Sequence, residues 1–318
     1  MSEGVKKTVF IFLDTNKHVS PFDMLTAINL FPEAKILTYS NVTAEDTRKI
    51  VQDAMFPRGP KGAKYTKLFI GGHDVEKAQR ILEVAEEVMF PPFELATIVD
   101  PKGAYTTASA AVAKTLVLSI QKGFGGFEGK KIAVLAGTGP VGRTAARLYA
   151  SEGANVIVTS RKLAKSTAVA EKINEEIGKE RVKGVEASAF EQFGEAVQNM
   201  EIVLSAGAAG IQMLPLDVLK KYGGRCKVVA DVNAIPPVGV EGVKPKDDGV
   251  EVLPGVWGIG GLTIGTFKNK VEAELFKKAV EAKKGIFDYK VAYKTAKSLL
   301  QAKSDDWWSS FRSVWPPG

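Results

Sequence analysis

Through the first hundred residues, short apolar runs alternate with stretches whose apolar positions recur every three or four residues. TVFIFLD (8–14), AKILTYS (34–40), KLFIGG (67–72) and FELATIVD (93–100) read as strands. Between them, SPFDMLTAINLF, EDTRKIVQDAMF and VEKAQRILEVAEEVMF read as helices, the first with Ser20 at its cap and Pro21 in its first turn. Repeated strand–helix units specify an α/β domain with a mostly parallel sheet. Functional groups in such sheets gather at the carboxyl ends of strands, which makes Asp14, Gly71, Gly72 and Asp100 candidates. A helix from about Ala104 to Ile120 leads away, and QKGFGGFEGK, rich in glycine, reads as a hinge.

The next segment carries the most specific signal. KIAVLA is a buried strand, Gly137-Thr138-Gly139-Pro140-Val141-Gly142 follows at once, RTAARLYASEG is a helix, and NVIVTS is a second strand. A GxGxxG placed between strand and helix marks a Rossmann dinucleotide site. Gly137 is expected to permit the tight turn, Gly139 to admit the pyrophosphate, and Gly142 to allow close packing, with the helix N-terminus facing the phosphates. NAD-binding proteins usually place a carboxylate at the end of the second strand. Here Ser160-Arg161-Lys162 stands instead, with no carboxylate expected nearby to repel a 2′-phosphate, so NADP is favoured and NAD is the weaker cofactor.

Three later strands are expected at EIVLSAG (201–207), CKVVADVN (226–233) and EVLPGVWGIGG (251–261). Ser205, Ala206, Gly207 and Ala208 offer a small-residue strand end beside the cofactor, and Asn233 and Gly260 lie where nicotinamide-side loops fall; simple turn chemistry is the alternative there. The pattern then turns helical again, in KNKVEAELFKKAVEAKK and DYKVAYKTAKSLLQAK. The expected organisation is a substrate domain over 1–122, a Rossmann domain over 123–266, and C-terminal helices with a tail over 267–318 that return to the first domain. The tail DDWWSSFRSVWPPG holds three of the four tryptophans and reads as a surface strap or an oligomer contact, in keeping with an expected homo-oligomer.

Composition narrows the classes. No apolar run reaches the roughly 18–20 residues of a membrane helix, so no membrane partner is expected. The single Cys226 excludes an internal disulfide and suits a reducing, cytoplasmic compartment. With His18 and His73 as the only histidines, no metal site is expected. The net charge of +7 comes from scattered lysines without an aromatic-basic motif, so no nucleic-acid partner is expected.

Across residues 8–300 the chain resembles the NAD(P)-dependent methylene-tetrahydromethanopterin and methylene-tetrahydrofolate dehydrogenases of methylotrophic bacteria. The resemblance is carried by SPFDMLTAI, FPRGPKG, LFIGGHD, DPKGAYTTASAAVA, VLAGTGPVGRTAA, VTSRKLAK, LSAGAAGI, ADVNAIPPVGVEGV and GVWGIGGL. It implies a pterin-binding N-terminal domain, a tetrahydropterin one-carbon carrier as substrate, and hydride transfer to NADP in the cleft between two domains. A lysine commonly follows GIGGL in that family, whereas Thr263 stands here and Lys268 is the nearest cation. Such chemistry moves no proton, so ring positioning supplies much of the catalysis. A carboxylate would stabilise the forming cation or take the pterin amino and ring N–H groups; Asp14, Asp23 and Asp100 are the candidates, with Phe22 as a stacking platform. Each has an ordinary alternative as a turn, helix-end or core residue. Two other readings stand beside it: a shikimate-type small-alcohol dehydrogenase, which shares the two-domain plan but needs a proton-transfer pair, and a non-enzymatic NADP-sensing module, since fold alone does not fix function.

Overall fold

In the computed structural model, residues 7–301 are described. The chain opens with β1 (Val9–Asp14), α1 (Pro21–Leu30), β2 (Lys35–Tyr39), α2 (Ala44–Met55), the short α3 (Gly59–Ala63), β3 (Thr66–Gly71), α4 (Val75–Val88) and β4 (Ala96–Val99). A one-turn segment, Pro101–Gly103, leads into α5 (Ala104–Gln121). Next come β5 (Lys131–Leu135), α6 (Pro140–Ser151), β6 (Asn155–Ser160), α7 (Leu163–Ile177), β7 (Val182–Glu186), α8 (Phe190–Val197), β8 (Ile202–Ser205), α9 (Leu216–Tyr222) and β9 (Val228–Asp231). The remainder is β10 (Asp248–Leu253), β11 (Val256–Ile259), α10 (Gly261–Glu281), β12 (Gly285–Phe287) and α11 (Tyr289–Gln301).

Two compact units result. Among the described residues, one comprises 7–106 together with Asn269–Thr295, the other Thr107–Lys268 and 296–301. The first unit is built on a five-stranded, all-parallel sheet in the order β12-β4-β3-β1-β2. Its central strands β1, β3 and β4 are almost wholly buried, as continuous apolar runs in parallel sheets must be. The second unit has seven strands in the order β10-β11-β9-β8-β5-β6-β7. From β7 to β11 this is the doubly wound arrangement whose direction reverses between β5 and β8. All pairings are parallel except β10 with β11.

Local chemistry explains the element ends. Ser20 caps α1 by accepting from the Asp23 N–H at 3.4 Å, and Thr43 and Asp46 form a reciprocal capping box on α2. Asp74 caps α4 through the N–H groups of Glu76 and Lys77. The C-terminal return has an aromatic cause. Phe276 on α10 lies 5.4 Å from Phe10 and 5.5 Å from Phe69, stacked nearly parallel on the latter, which in turn stacks on Phe12 at 4.7 Å. All four rings are buried. An interlock of this kind contributes roughly 3–5 kcal/mol per ring against alanine.

Three sequence expectations are corrected. The stretch 251–261 is not one strand: Pro254 and Gly255, the latter at φ +76°, reverse the chain between β10 and β11. The fourth strand begins at Ala96 rather than Phe93. The C-terminal return contributes a strand as well as helices, since β12 pairs with β4 from Gly285↔Ala96 to Phe287↔Ile98. The tryptophan-rich tail lies outside the described residues. No described helix is long and apolar enough to cross a membrane.

A buried cation marks the opposite end of the first sheet from the strand carboxyl termini. Lys67 on β3 has no exposed surface and donates to the Ala282 carbonyl at 2.6 Å, just past the C-terminus of α10. The helix dipole favours a cation there, yet desolvation, with a smaller contribution from Lys64, lowers its pKa to about 8. The unfolded chain therefore holds this proton up to about pH 10.5 while the folded chain releases it from about 8. The unfolded state binds more protons in that window, so stability rises with pH there. In denaturant titrations, wild-type stability relative to Lys67→Met is expected to increase from pH 8 to pH 10. A flat difference would mean that the lysine titrates normally.

Candidate functional site

The carboxyl ends of β5 and β8 adjoin where the second sheet reverses direction, and the glycine loop lies there. Its tight turn is made by Ala136, at φ +51°, rather than by Gly137. Gly137 answers a different need: a Cβ on it would come within 2.9 Å of both the Val134 carbonyl and the Val158 Cβ. On Gly142 a Cβ would lie 2.6 Å from the Gly137 Cα, so the first turn of α6 can sit against the loop only without a side chain. Gly139 differs from both. It caps α6 with an ordinary φ of −74°, and a Cβ there would meet only the Ala136 carbonyl at 3.8 Å. Nothing within the fold requires glycine at 139, whereas an approaching phosphate would. The cradle fits a dinucleotide pyrophosphate.

The loop is braced from its neighbours. The Ala136 N–H donates to Thr159 Oγ1 at 2.9 Å, and Arg143 Nη2 donates to the Thr138 carbonyl at 3.1 Å. Pro140 and Val141 open α6, and the Thr144 hydroxyl donates to the Pro140 carbonyl at 2.9 Å. Gly207, just beyond β8, is bordered by Met213 and, at 3.8 Å from its missing Cβ, by Ala136. Ser205 is buried, Ala206 donates its N–H to the Leu135 carbonyl at 3.0 Å, and Ala208 is exposed.

Ser160 closes β6, and Arg161 and Lys162 follow as exposed side chains that no described carboxylate engages. The sequence expectation that no acidic group stands nearby is corrected. Glu186 at the end of β7 is in register with Ser160 and accepts from the Leu163 N–H at 3.0 Å. That carboxylate caps α7, where the helix dipole favours it. A strand partner 26 residues away supplies it, so the local sequence around 160 gave no sign of it.

At the end of β9 a residue outside the sequence candidates organises the next loop. Asp231 is buried, and its carboxylate accepts from the N–H groups of Gly239 (2.6 Å), Val240 (3.2 Å) and Asn233 (3.0 Å). Burial nonetheless raises its pKa, opposed by these donors and the Ser205 hydroxyl. Asn233 is folded back into the same loop, its amide donating to the Pro237 carbonyl at 3.2 Å and accepting from the Ile235 N–H at 2.9 Å. Gly260 is glycine for packing, since a Cβ would meet the Lys244 carbonyl at 2.0 Å. Thr263 lies in the first turn of α10, half-buried, with its N–H toward the Pro245 carbonyl at 3.2 Å; Lys268 is buried a turn further on.

In the first unit, the carboxyl ends of β1, β3 and β4 bring Asp14, Gly71 and Asp100 level. Asp14 is 2 % exposed and accepts from the Asn16 N–H at 2.7 Å. Its pKa is raised, chiefly by burial and further by Asp23, against the Asn16 and Ser20 N–H groups and the His73 charge. Asp23 is buried, while the adjacent Phe22 is half exposed on the first turn of α1. Asp100 turns inward: Oδ1 accepts from the N–H groups of Tyr105 (2.9 Å) and Thr106 (3.2 Å), and Oδ2 from the Thr106 hydroxyl at 2.5 Å. It is the cap of α5, fully buried. Among the described residues, no group of three or more histidine, cysteine, aspartate or glutamate side chains is arranged to hold a metal.

The glycine geometry yields a direct expectation. Gly142→Val should lower stability by about 2–3 kcal/mol because backbone atoms must move, whereas Gly139→Val should change it by less than about 1 kcal/mol. Thermal unfolding of both variants without ligand checks this. Similar losses in both would mean that glycine at 139 is structural.

Comparison with known proteins is consistent with this layout. Residues 21–102 match the family model described as methylene-tetrahydromethanopterin dehydrogenase, N-terminal, and residues 131–209 match that described as NADP oxidoreductase, coenzyme F420-dependent. The chain is 36% identical over 294 residues to the bifunctional protein MdtA of Methylorubrum extorquens, covering 92% of this chain and 99% of that one. It is 30% identical over 307 residues to the NAD(P)-dependent methylenetetrahydromethanopterin dehydrogenase of the same organism, covering 91% and 98%. Among solved structures, shikimate 5-dehydrogenase from Listeria monocytogenes shares the fold, with a TM-score of 0.51 at 16% identity over 93% of this chain and 97% of that one.

Proposed function

The chain belongs to the methylene-tetrahydromethanopterin dehydrogenase family, and from that premise we propose that it transfers hydride reversibly between a methylene-tetrahydropterin and NADP. The observation that carries the cofactor half is the open space at Gly139, flanked by two glycines that the fold itself demands. In this proposal Gly137–Gly142 and the N-terminus of α6 hold the pyrophosphate, and Arg161 and Lys162 take the ribose 2′-phosphate, with Ser160 beside them. The small residues Ser205–Ala208 leave room for the cofactor. Bound NADP supplies a hydride acceptor.

On the substrate side, the methylene carbon between two nitrogens loses a hydride, and the positive charge left behind is shared by those nitrogens as an amidinium. The two electrons leave with the hydrogen, and no proton changes hands. The protein's task is therefore orientation and electrostatics. Asp14 suits the pterin amino and ring N–H groups, because a carboxylate has about four acceptor sites and backbone donors take two. Phe22 offers an exposed face for stacking. Asp100 serves by holding the β4–α5 turn rather than by touching substrate. The exposed Leu25 and Ile28 on α1 support a homo-oligomeric assembly, and the single buried cysteine supports a cytoplasmic location.

Two measurements test this. With methylene-tetrahydromethanopterin or methylene-tetrahydrofolate deuterated at the methylene carbon, deuterium should appear in NADPH and slow single turnovers; no transfer from either would overturn the proposal. Arg161→Ala should raise the KM for NADP about tenfold or more, as loss of a charge-assisted bond of about 1.5–3 kcal/mol requires, with NAD kinetics nearly unchanged. Equal losses with both cofactors would remove the 2′-phosphate assignment.

A further inference from the structure

One residue at the carboxyl end of the first sheet is held by its turn in a conformation that its side chain disfavours. Lys102, in the turn between β4 and α5, has φ +55°, and Gly103 follows at φ +62°. The second left-handed position is filled by glycine, as expected; the first carries a lysine, which is not among the residues that visit this region at little cost. Pro101 and Gly103 on either side are buried, while Lys102 is exposed. The turn is pinned by the Asp100 carboxylate on α5 and by the Gly103 N–H to the Asp100 carbonyl at 3.2 Å. No described carboxylate pairs with the Lys102 ammonium, and Asp288, at the end of neighbouring β12, is engaged by the N–H groups of Lys290 and Val291. Strain of this kind, kept at the ligand-binding end of a parallel sheet, marks a position maintained for something other than stability.

The surroundings define what the ammonium would meet. Asp14 and Gly71 are paired in register, and Ile70 is paired with Val99, so Asp100 follows beside Gly71. Asp14 and the Lys102 turn thus flank the end of β3, with about 10 Å between the outer strands. Between them Gly71 presents no side chain, and a Cβ on it would lie 3.2 Å from Asp14 Oδ2, whereas the Thr15 side chain packs where a Gly72 side chain would stand. The end of β3 is thus flanked by a buried carboxylate on one side and, on the other, by a turn that exposes a lysine which no described carboxylate engages. A pyrimidinone edge of the pterin type shows an acceptor carbonyl, a ring N–H donor and an amino donor in a row. A carboxylate matches the two donors and an ammonium matches the carbonyl.

Resting on the tetrahydropterin reading above, we propose that Lys102 is a specificity-determining residue that binds the pyrimidinone carbonyl of the substrate while Asp14 takes the adjacent N–H groups. The contact is remote from the reacting carbon, so it contributes equally to ground and transition states and acts on KM rather than kcat.

The test uses Lys102→Gly and Lys102→Arg in the full-length protein. Lys102→Gly removes both the strain and the charge. Its thermal midpoint should rise by about 2 °C, while the KM for the methylene-tetrahydropterin rises about tenfold. Its kcat and its KM for NADP should stay within about twofold of wild type. Lys102→Arg, which keeps the charge, should recover most of the affinity. A structural lysine would move stability without moving the pterin KM. An unchanged pterin KM in Lys102→Gly, or an arginine variant no better than glycine, overturns the assignment while leaving the dehydrogenase reading intact. Wild-type protein that turns over neither methylene-tetrahydropterin overturns that reading and this inference together.

Discussion

The buried carboxylate of Asp100 governs the point where the first sheet hands the chain on to α5. It is at once the end of β4, the anchor of a left-handed turn and the cap of an 18-residue helix. Its oxygens receive two backbone N–H groups and a hydroxyl, so the charge is compensated by the donors that a helix start leaves orphaned. Remove that acceptor and the turn loses its reason to hold Lys102 and Gly103 at positive φ. The geometry of the turn, and the position of whatever it displays, both rest on this one side chain.

The second unit relies on a comparable constraint expressed as space rather than charge. Gly142 and Gly137 touch backbone to backbone, and Ala136 accepts a left-handed conformation to let them. Rigidity here is useful because α6 can then present its free N–H groups at a fixed place. The brace from Thr159 on the second strand ties the loop to the same sheet that carries Ser160 and Arg161. A ligand held at the loop and at the second strand end would therefore meet one stiff frame.

Alternating strands and helices were legible from hydrophobic period alone, as was the strand–glycine–helix signature, because both are local. The losses fall where information is carried across the sheet. Glu186 reaches Ser160 through strand register, which no window around residue 160 contains. The three-residue β12 is too short to show a period, and the β10–β11 reversal was signalled only by Pro254-Gly255 inside an apolar run. Asp100 was correctly singled out as a strand-end carboxylate, but whether such a group faces ligand or caps the next helix depends on backbone direction. Asp231 escaped notice for the converse reason: its motif was conspicuous, and its role is to gather the N–H groups of Asn233 and of the more distant Gly239 and Val240.

Glycine and left-handed backbone thus separate two demands that sequence merges. Where a missing side chain is enforced by atoms of the protein, as at Gly137, Gly142 and Gly260, the fold is sufficient cause. Where the space is empty and φ ordinary, as at Gly139, the fold supplies no cause, and a phosphate approaching the start of α6 would supply one. Lys102 is the mirror case, a side chain retained where backbone energetics would prefer none. A site whose glycine is not required by the fold and a lysine that the fold disfavours occur in different units, each at the carboxyl end of its own parallel strands. Two ligands bound on two sheets would account for both departures, and a hydride exchanged between two bound rings is a reaction that needs two such sites and little else from its protein.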